Sequence, residues 1–301
     1  VAPRVWNDLA DAGGEAEFLV VLAEQADLGH ATSLPDREAR LRYVYDTLRE
    51  TARRSQTSLR AELDTAGVSY QPFYIVNAVA VKGDRALVAR LAARADVDRI
   101  AANPRVRQSL PDDSPSPERM DRATASVEWG VARVNADDVW ALGHTGEGIV
   151  VAGQDTGYDW DHLAIKSQYR GWDGGSADHD YNWHDAIHSG GGVCGADSPV
   201  PCDDDGHGTH TMGTVLGDDG GRNRTGVAPG AQWIGCRNMR RGFGNPASYA
   251  ECAEFFVAPY PQGGDPFTDG DVSLAPHVTN NSWGCPYWEG CSADTLELAV
   301  E

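Results

Sequence analysis

No run of 18 apolar residues occurs in this 301-residue chain, so a membrane-spanning helix is excluded from the reading. Nor does a basic and then apolar leader open it; the first residue is Val1 rather than methionine, and a leader is expected to have been removed already. Positive charge is scarce: 25 Lys and Arg stand against 45 Asp and Glu, a net charge of −20. Such a surface repels nucleic acid and anionic membranes, and neither is expected as a partner. Cys-x-x-Cys spacing is missing, and so is His-Glu-x-x-His, which removes two common zinc signatures. Cysteine is absent from the first 193 residues.

What is present is unevenly spread. Residues 111–301 hold 10 basic and 30 acidic side chains, whereas the first 110 hold 15 of each. All six cysteines lie in the acidic part. Short loops favour the pairs Cys194–Cys202 and Cys285–Cys291, which leaves Cys236 with Cys252. Disulfides need an oxidising compartment, so the chain is read as secreted. An apolar fraction of 41% supports a globular chain, and the length accommodates two domains.

Residues 1–110 read as a small α+β domain. Residues 18–23 form a strand. Asp36 caps a long helix with Leu41, Val44, Leu48, Ala52, Ser55, Leu59 and Leu63 on one stripe, ended by Gly67. Residues 70–75 and 78–82 are paired strands joined near Asn77. Asp84 caps a second helix through Leu87 and Leu91, and 97–101 form a last strand. The order β-α-β-β-α-β is ferredoxin-like. Nothing here looks catalytic; the one histidine is His30. A polar, Pro-containing linker, residues 111–126, follows.

Chemistry gathers in residues 127–301. Asp203, Asp204 and Asp205 precede Gly206-His207-Gly208-Thr209-His210, and Met212, Val215 and Leu216 then fall at helical spacing. A loop therefore ends at His207 and a slim, buried helix begins. A histidine held there suits proton transfer near neutral pH. It needs an orienting carboxylate. Residues 149–152 read as a short buried strand with Asp155 at its C-terminal end and Gly157 in the turn beyond, where α/β sheets present functional groups. His207-x-x-His210 lacks the spacing of a zinc protease, so no metal is assigned. The three aspartates read as a solvated acidic loop rather than a calcium site. His179, His184 and His188, in the long excursion between Asp155 and His207, read as solvated or packing residues.

Asp155-Thr156-Gly157 and His207-Gly208-Thr209-His210, in that chain order, resemble two of the three catalytic motifs of the subtilisin family of serine proteases, the subtilases. Gly242-Phe243-Gly244 is similar to one wall of that family's substrate groove, and Ser282-Trp283-Gly284 to the opposite wall. The run 278–286, with Asn182-Trp183-His184-Asp185, resembles a bacillopeptidase F-like branch. The resemblance implies an α/β, doubly wound, mostly parallel sheet for residues 127–301, incomplete because later strands are missing. It implies that residues 1–110 are an inhibitory or folding prodomain, an intramolecular partner whose tail lies along the cleft and is cut within 107–126. It also implies a secreted endopeptidase that hydrolyses peptides and proteins through an Asp-His-Ser triad and an acyl-enzyme. Asp155 and His207 are its expected catalytic residues; Gly242, Phe243, Gly244, Ser282, Trp283 and Gly284 are expected to hold substrate. No cofactor is implied, and a structural calcium is left unassigned.

One departure is decisive. The chain has no Gly-Thr-Ser-Met and no Ala-Gly-Asn stretch after Ser282-Trp283-Gly284, so the nucleophile and the oxyanion asparagine are both expected beyond Glu301. The chain is therefore expected to be an N-terminal piece, inactive alone, ending in a helix capped by Ser292. The rival reading is a serine-less binding or inhibitory module on a degenerate protease scaffold.

Overall fold

The computed structural model describes residues 1–108, 126–190, 192–221, 223–285, 289, 291 and 296. The linker residues 111–125 and, apart from Leu296, the helix expected after Ser292 lie outside the described residues.

The first 108 residues form α1 (Pro3–Asp11), β1 (Glu15–Leu22), α2 (Arg37–Thr65), β2 (Tyr70–Phe73), β3 (Ala78–Asp84), α3 (Arg85–Ala92), β4 (Val97–Ala102) and a short β5 (Val106–Arg107). Strands β1 to β4 make one sheet in the order β2-β3-β1-β4, every neighbour antiparallel. Caps fix the helix starts: Asp36 Oδ1 accepts from Ala39 N at 2.8 Å, and Asp84 Oδ1 from Leu87 N at 2.8 Å. Gly67, at φ 64°, turns the chain out of α2 through the left-handed region. Helix α1 is not anticipated by the sequence reading. It begins on Pro3 and buries only Val5 and Leu9, too few to show a period.

β1 is buried on both faces, because side chains of a strand alternate. Phe18, Val20 and Leu22 pack with Val5, Leu9, Leu59, Leu63, Val88 and Leu91 of the three helices. Leu19 and Val21 point the other way and join Tyr45, Tyr74, Ala247 and Ala250. Each such fully buried side chain contributes ~1.5–3 kcal/mol.

The later residues form β6 (Ser126–Val127), α4 (Trp129–Arg133), α5 (Ala136–Ala141), β7 (Val150–Asp155), β8 (Trp183–Asp185), α6 (His207–Leu216), β9 (Asn223–Arg224), β10 (Gln232–Arg237), β11 (Met239–Arg240), β12 (Phe243–Gly244), α7 (Pro246–Val257) and β13 (Val278–Asn280). Four of these make a parallel sheet in the order β13-β7-β10-β8. Alternation again sorts two cores. Val151 and Trp233 meet Met212 and Leu216 of α6, while Ala152 and Ile234 meet Cys252, Phe255 and Phe256 of α7. The sheet is thus covered by helices on both faces. Helix α7 buries ten of its twelve residues, because its other side carries Ala247 and Ala250 against the first sheet.

Polar contacts cross that junction. Glu254 Oε1 accepts from both Tyr74 N and Ile75 N, and Glu251 Oε2 accepts from Gln71 Nε2 at 2.7 Å. Arg37 donates to the carbonyls of Ala275 and Pro276. Burial pushes the Glu254 carboxyl up to about 8.

Candidate active site

Asp155 ends β7 with no exposed surface. Its Oδ1 accepts from Thr156 N at 2.7 Å and lies 2.7 Å from His207 Nδ1, while Oδ2 accepts from Thr211 Oγ1 at 3.3 Å. His207 is the first residue of α6, entered through Gly206 at φ 93°. A carboxylate can only accept here, so Nδ1 carries the proton and Nε2 is left as the basic nitrogen. The bond to Asp155 raises the His207 pKa above its ordinary value; burial opposes the rise, and the charges of Asp155, Asp205 and Asp203 add to it. The geometry suits an imidazole that takes a proton at Nε2 and is steadied by a buried carboxylate at Nδ1.

Two glycines permit the approach. A Cβ on Gly208 would meet Gly157 O at 2.0 Å and Asp155 Cβ at 3.0 Å. One on Gly157 would meet Cys202 O at 1.8 Å. Gly208→Ala is therefore expected to cost about 1–3 kcal/mol of stability by overpacking and to move α6 off Asp155. Thermal unfolding combined with the His207 imidazole NMR signal checks this; an unchanged Tm with an unchanged His207 signal is the contrary result.

The acidic loop is not the solvated feature that the sequence suggests. Asp203 Oδ1 accepts from Thr156 Oγ1 and Gly206 N, both at 2.8 Å, and Oδ2 from Thr209 N and Oγ1 at 2.9 and 2.6 Å. It caps α6 and ties it to the residue after Asp155. Asp204 keeps only 2% of its side chain exposed and accepts from Arg241 N at 2.7 Å. Among the described residues no group of three or more His, Cys, Asp or Glu side chains is arranged to hold a metal ion.

Gly242, Phe243 and Gly244 lie on or beside a short edge strand. Gly242 adopts φ 72°, and β12 pairs antiparallel with β5, the last strand of the N-terminal part. Gln108 N extends the ladder by donating to Gly242 O at 2.7 Å. The Arg105 guanidinium lies 3.6 Å above the Phe243 ring. Ser282, Trp283 and Gly284 form no strand. Trp283 instead stacks on Tyr249 of α7, with ring centroids 3.9 Å apart. Tyr249 in turn lies against Gly244, where an added Cβ would meet its ring at 2.5 Å. Tyr249 thus lies between Trp283 and Gly244, a contact that the sequence reading misses, since Tyr249 occupies an ordinary helical position.

Of the excursion histidines, His179 packs against Trp160 and Tyr169 as expected, whereas half-exposed His188 and His184 also converge on one buried carboxylate. His184 Nε2 lies 2.6 Å from Glu251 Oε1. His188 has both nitrogens on carboxylates, Nε2 at 2.8 Å from Glu251 and Nδ1 at 2.5 Å from Asp197. The bond to Glu251 is the main reason that His188 is raised to about 9. The cysteines pair as Cys194–Cys202, Cys236–Cys252 and Cys285–Cys291. The second bridge joins β10 to α7, and the first ends one residue before Asp203. No helix among the described residues is long and apolar enough to cross a membrane.

Residues 146–298 match the model of the subtilase family of peptidases. Bacillopeptidase F of Bacillus subtilis (strain 168) is 32% identical over 292 residues, which cover 93% of this chain and 19% of that protein. The major intracellular serine protease of the same organism is 35% identical over 105 residues, or 35% of this chain and 28% of the relative. The chain therefore spans less than a third of the length of either. Among solved structures, fervidolysin from Fervidobacterium pennivorans superposes with a TM-score of 0.52 at 15% identity, over 95% of this chain and 37% of its own. The epidermin leader peptide processing serine protease of Staphylococcus aureus gives 0.50 at 12%, over 80% and 47%. These likenesses agree with the parallel sheet flanked by helices and with the bacillopeptidase F-like motifs, and the chain belongs to the subtilase family.

Proposed function

We propose that this chain is the N-terminal part of a secreted serine endopeptidase, with the nucleophilic serine supplied by sequence that follows Glu301. The observation that carries the reading is the Asp155–His207 hydrogen bond at 2.7 Å, at the strand end and helix start where the subtilase motifs fall. In the reaction the serine attacks the peptide carbonyl, and His207 Nε2 takes its proton and passes it to the leaving amine. Asp155 holds the imidazole tautomer and stabilises the imidazolium. Gly242, Phe243 and Gly244 hold an extended substrate by β-pairing, with Ser282, Trp283 and Gly284 opposite.

Residues 1–110 act as a ferredoxin-like inhibitory prodomain. Support comes from β5, which occupies the β12 edge as an extended substrate would. Val106 on that strand has no exposed surface, which fits a tail seated in the groove. Expressing the protein with its downstream sequence, and measuring casein hydrolysis together with labelling by a serine-directed fluorophosphonate, tests the reading. Hydrolysis and labelling are expected to appear together; a folded full-length protein with neither would sink it.

A further inference from the structure

The carboxyl ends of three neighbouring strands carry charges in one row. β10 pairs Arg237 with Asp155 of β7 on one side and with Asp185 of β8 on the other. Arg237 is fully buried. Its Nε and Nη2 fork onto Asp185 at 2.8 and 2.7 Å, and Nη2 also donates to Gly195 O at 2.8 Å, inside the loop closed by Cys194–Cys202. Its third nitrogen, Nη1, has no hydrogen-bond partner, and neither does Asp204 Oδ2. These two buried atoms face each other at 3.7 Å. Asp185 is satisfied without Asp204, since it also accepts from Ile187 N and Ser198 N. One arginine thus serves two buried aspartates, and the second of them lies three residues before His207.

We propose that Arg237 is a positioning residue of the active site: it anchors Asp204, and with it the loop that starts α6, and it shields His207 from the Asp204 carboxylate. The role of His207 rests on the reading given above. The charged groups that face His207 are Asp155 at Nδ1 and, from the loop, Asp203 and Asp205, all of which raise its pKa. A further unneutralised carboxylate in this loop adds to the same load. Arg237 prevents that addition because its planar fork reaches Asp185 and Asp204 together, which a lysine ammonium does not.

Two double variants separate this role from general stability. Arg237→Met with Asp185→Asn, and Arg237→Met with Asp204→Asn, each remove one cation and one carboxylate, so both keep the net charge of the wild-type cluster. They differ only in which aspartate remains. The His207 midpoint, followed by imidazole NMR in this chain, is expected to rise by about one unit in the first, where Asp204 is left alone, and to stay within about 0.3 unit of wild type in the second. The acid limb of kcat/KM in the full-length enzyme is expected to move likewise. Equal midpoints in the two variants overturn the proposal. Should either variant fail to fold, Arg237→Lys decides: kcat is expected to fall roughly tenfold with KM within about twofold, because the loop is loosened while charge is kept. An unchanged kcat overturns it. His207→Ala in the same assay keeps the two readings apart. If that variant stays active, the catalytic assignment fails, and the NMR midpoints alone judge Arg237.

Discussion

Alanine in place of His207 is expected to lower kcat of the full-length protein by ~10⁴-fold or more. No neighbouring group can replace the imidazole: Asp155 has no exposed surface, and its oxygens are engaged with Thr156, Thr211 and His207 itself. The wild-type pH profile carries a matching signature. His207 must be neutral to accept a proton, and its pKa lies above the ordinary 6.5, so activity falls as pH drops through that raised value. The alanine variant has no such limb. Asp155→Asn is expected to cost ~10⁴-fold by a different route. An amide offers Nδ1 a donor as readily as an acceptor, so the tautomer with its proton on Nε2, which cannot accept the serine proton, is no longer excluded. Near-normal kcat in either variant, measured on a peptide substrate with the amount of folded enzyme held equal, removes the pair from the mechanism.

The second large effect concerns the junction. Glu254 receives both backbone N–H groups on one oxygen, Oε1, an arrangement that a protonated carboxyl can satisfy through its carbonyl. Its pKa in the folded chain is about 8, against 4.5 for an ordinary glutamate. A raised pKa means that the folded state holds a proton which the unfolded state has released. The stabilisation is complete below 4.5 and is lost as pH climbs through 8. Over that window the loss amounts to ~5 kcal/mol, or a Tm change on the order of 10 °C. Glu254→Gln keeps an acceptor but cannot titrate, so its Tm is expected to decline less between about pH 5 and 8. His188, raised to about 9, weakens the chain in the same alkaline direction and is common to both proteins. Glu251, lowered to about 2 by His184 and His188 against the cost of its burial, acts only in acid. Parallel Tm curves for wild type and Glu254→Gln would show that Glu254 is ionised throughout.

Asp155 and His207 were legible because the backbone itself constrains their neighbours. A strand end, a glycine turn and a glycine-flanked helix start leave local traces in sequence. The long helix α2 was legible for the same reason, through Asp36, its apolar stripe and Gly67. The cap formed by Asp203 was not, since one of its partners, Thr156, lies 47 residues away. Glu251 and its two histidines are separated by 67 and 63 residues, and nothing in the α7 sequence marks that position as a place where charges converge. Trp283 was assigned to the groove from its motif, but its stacking partner Tyr249 is set by how α7 lies beneath Gly244, which only the packed fold determines.

Helix α7 bears on how freely this sequence can drift. With ten of twelve residues buried and a different sheet on either side, it has almost no face on which substitutions go unnoticed. Ala247 and Ala250 meet the antiparallel sheet, Cys252, Phe255 and Phe256 meet the parallel one, and Tyr249 lies under Gly244 of β12. A larger side chain at Ala250 must be absorbed by β1 or transmitted through the helix to β7 and β10. Compensating changes are therefore expected in pairs, one in each half of the chain, so that the N-terminal part and the parallel sheet diversify together rather than separately.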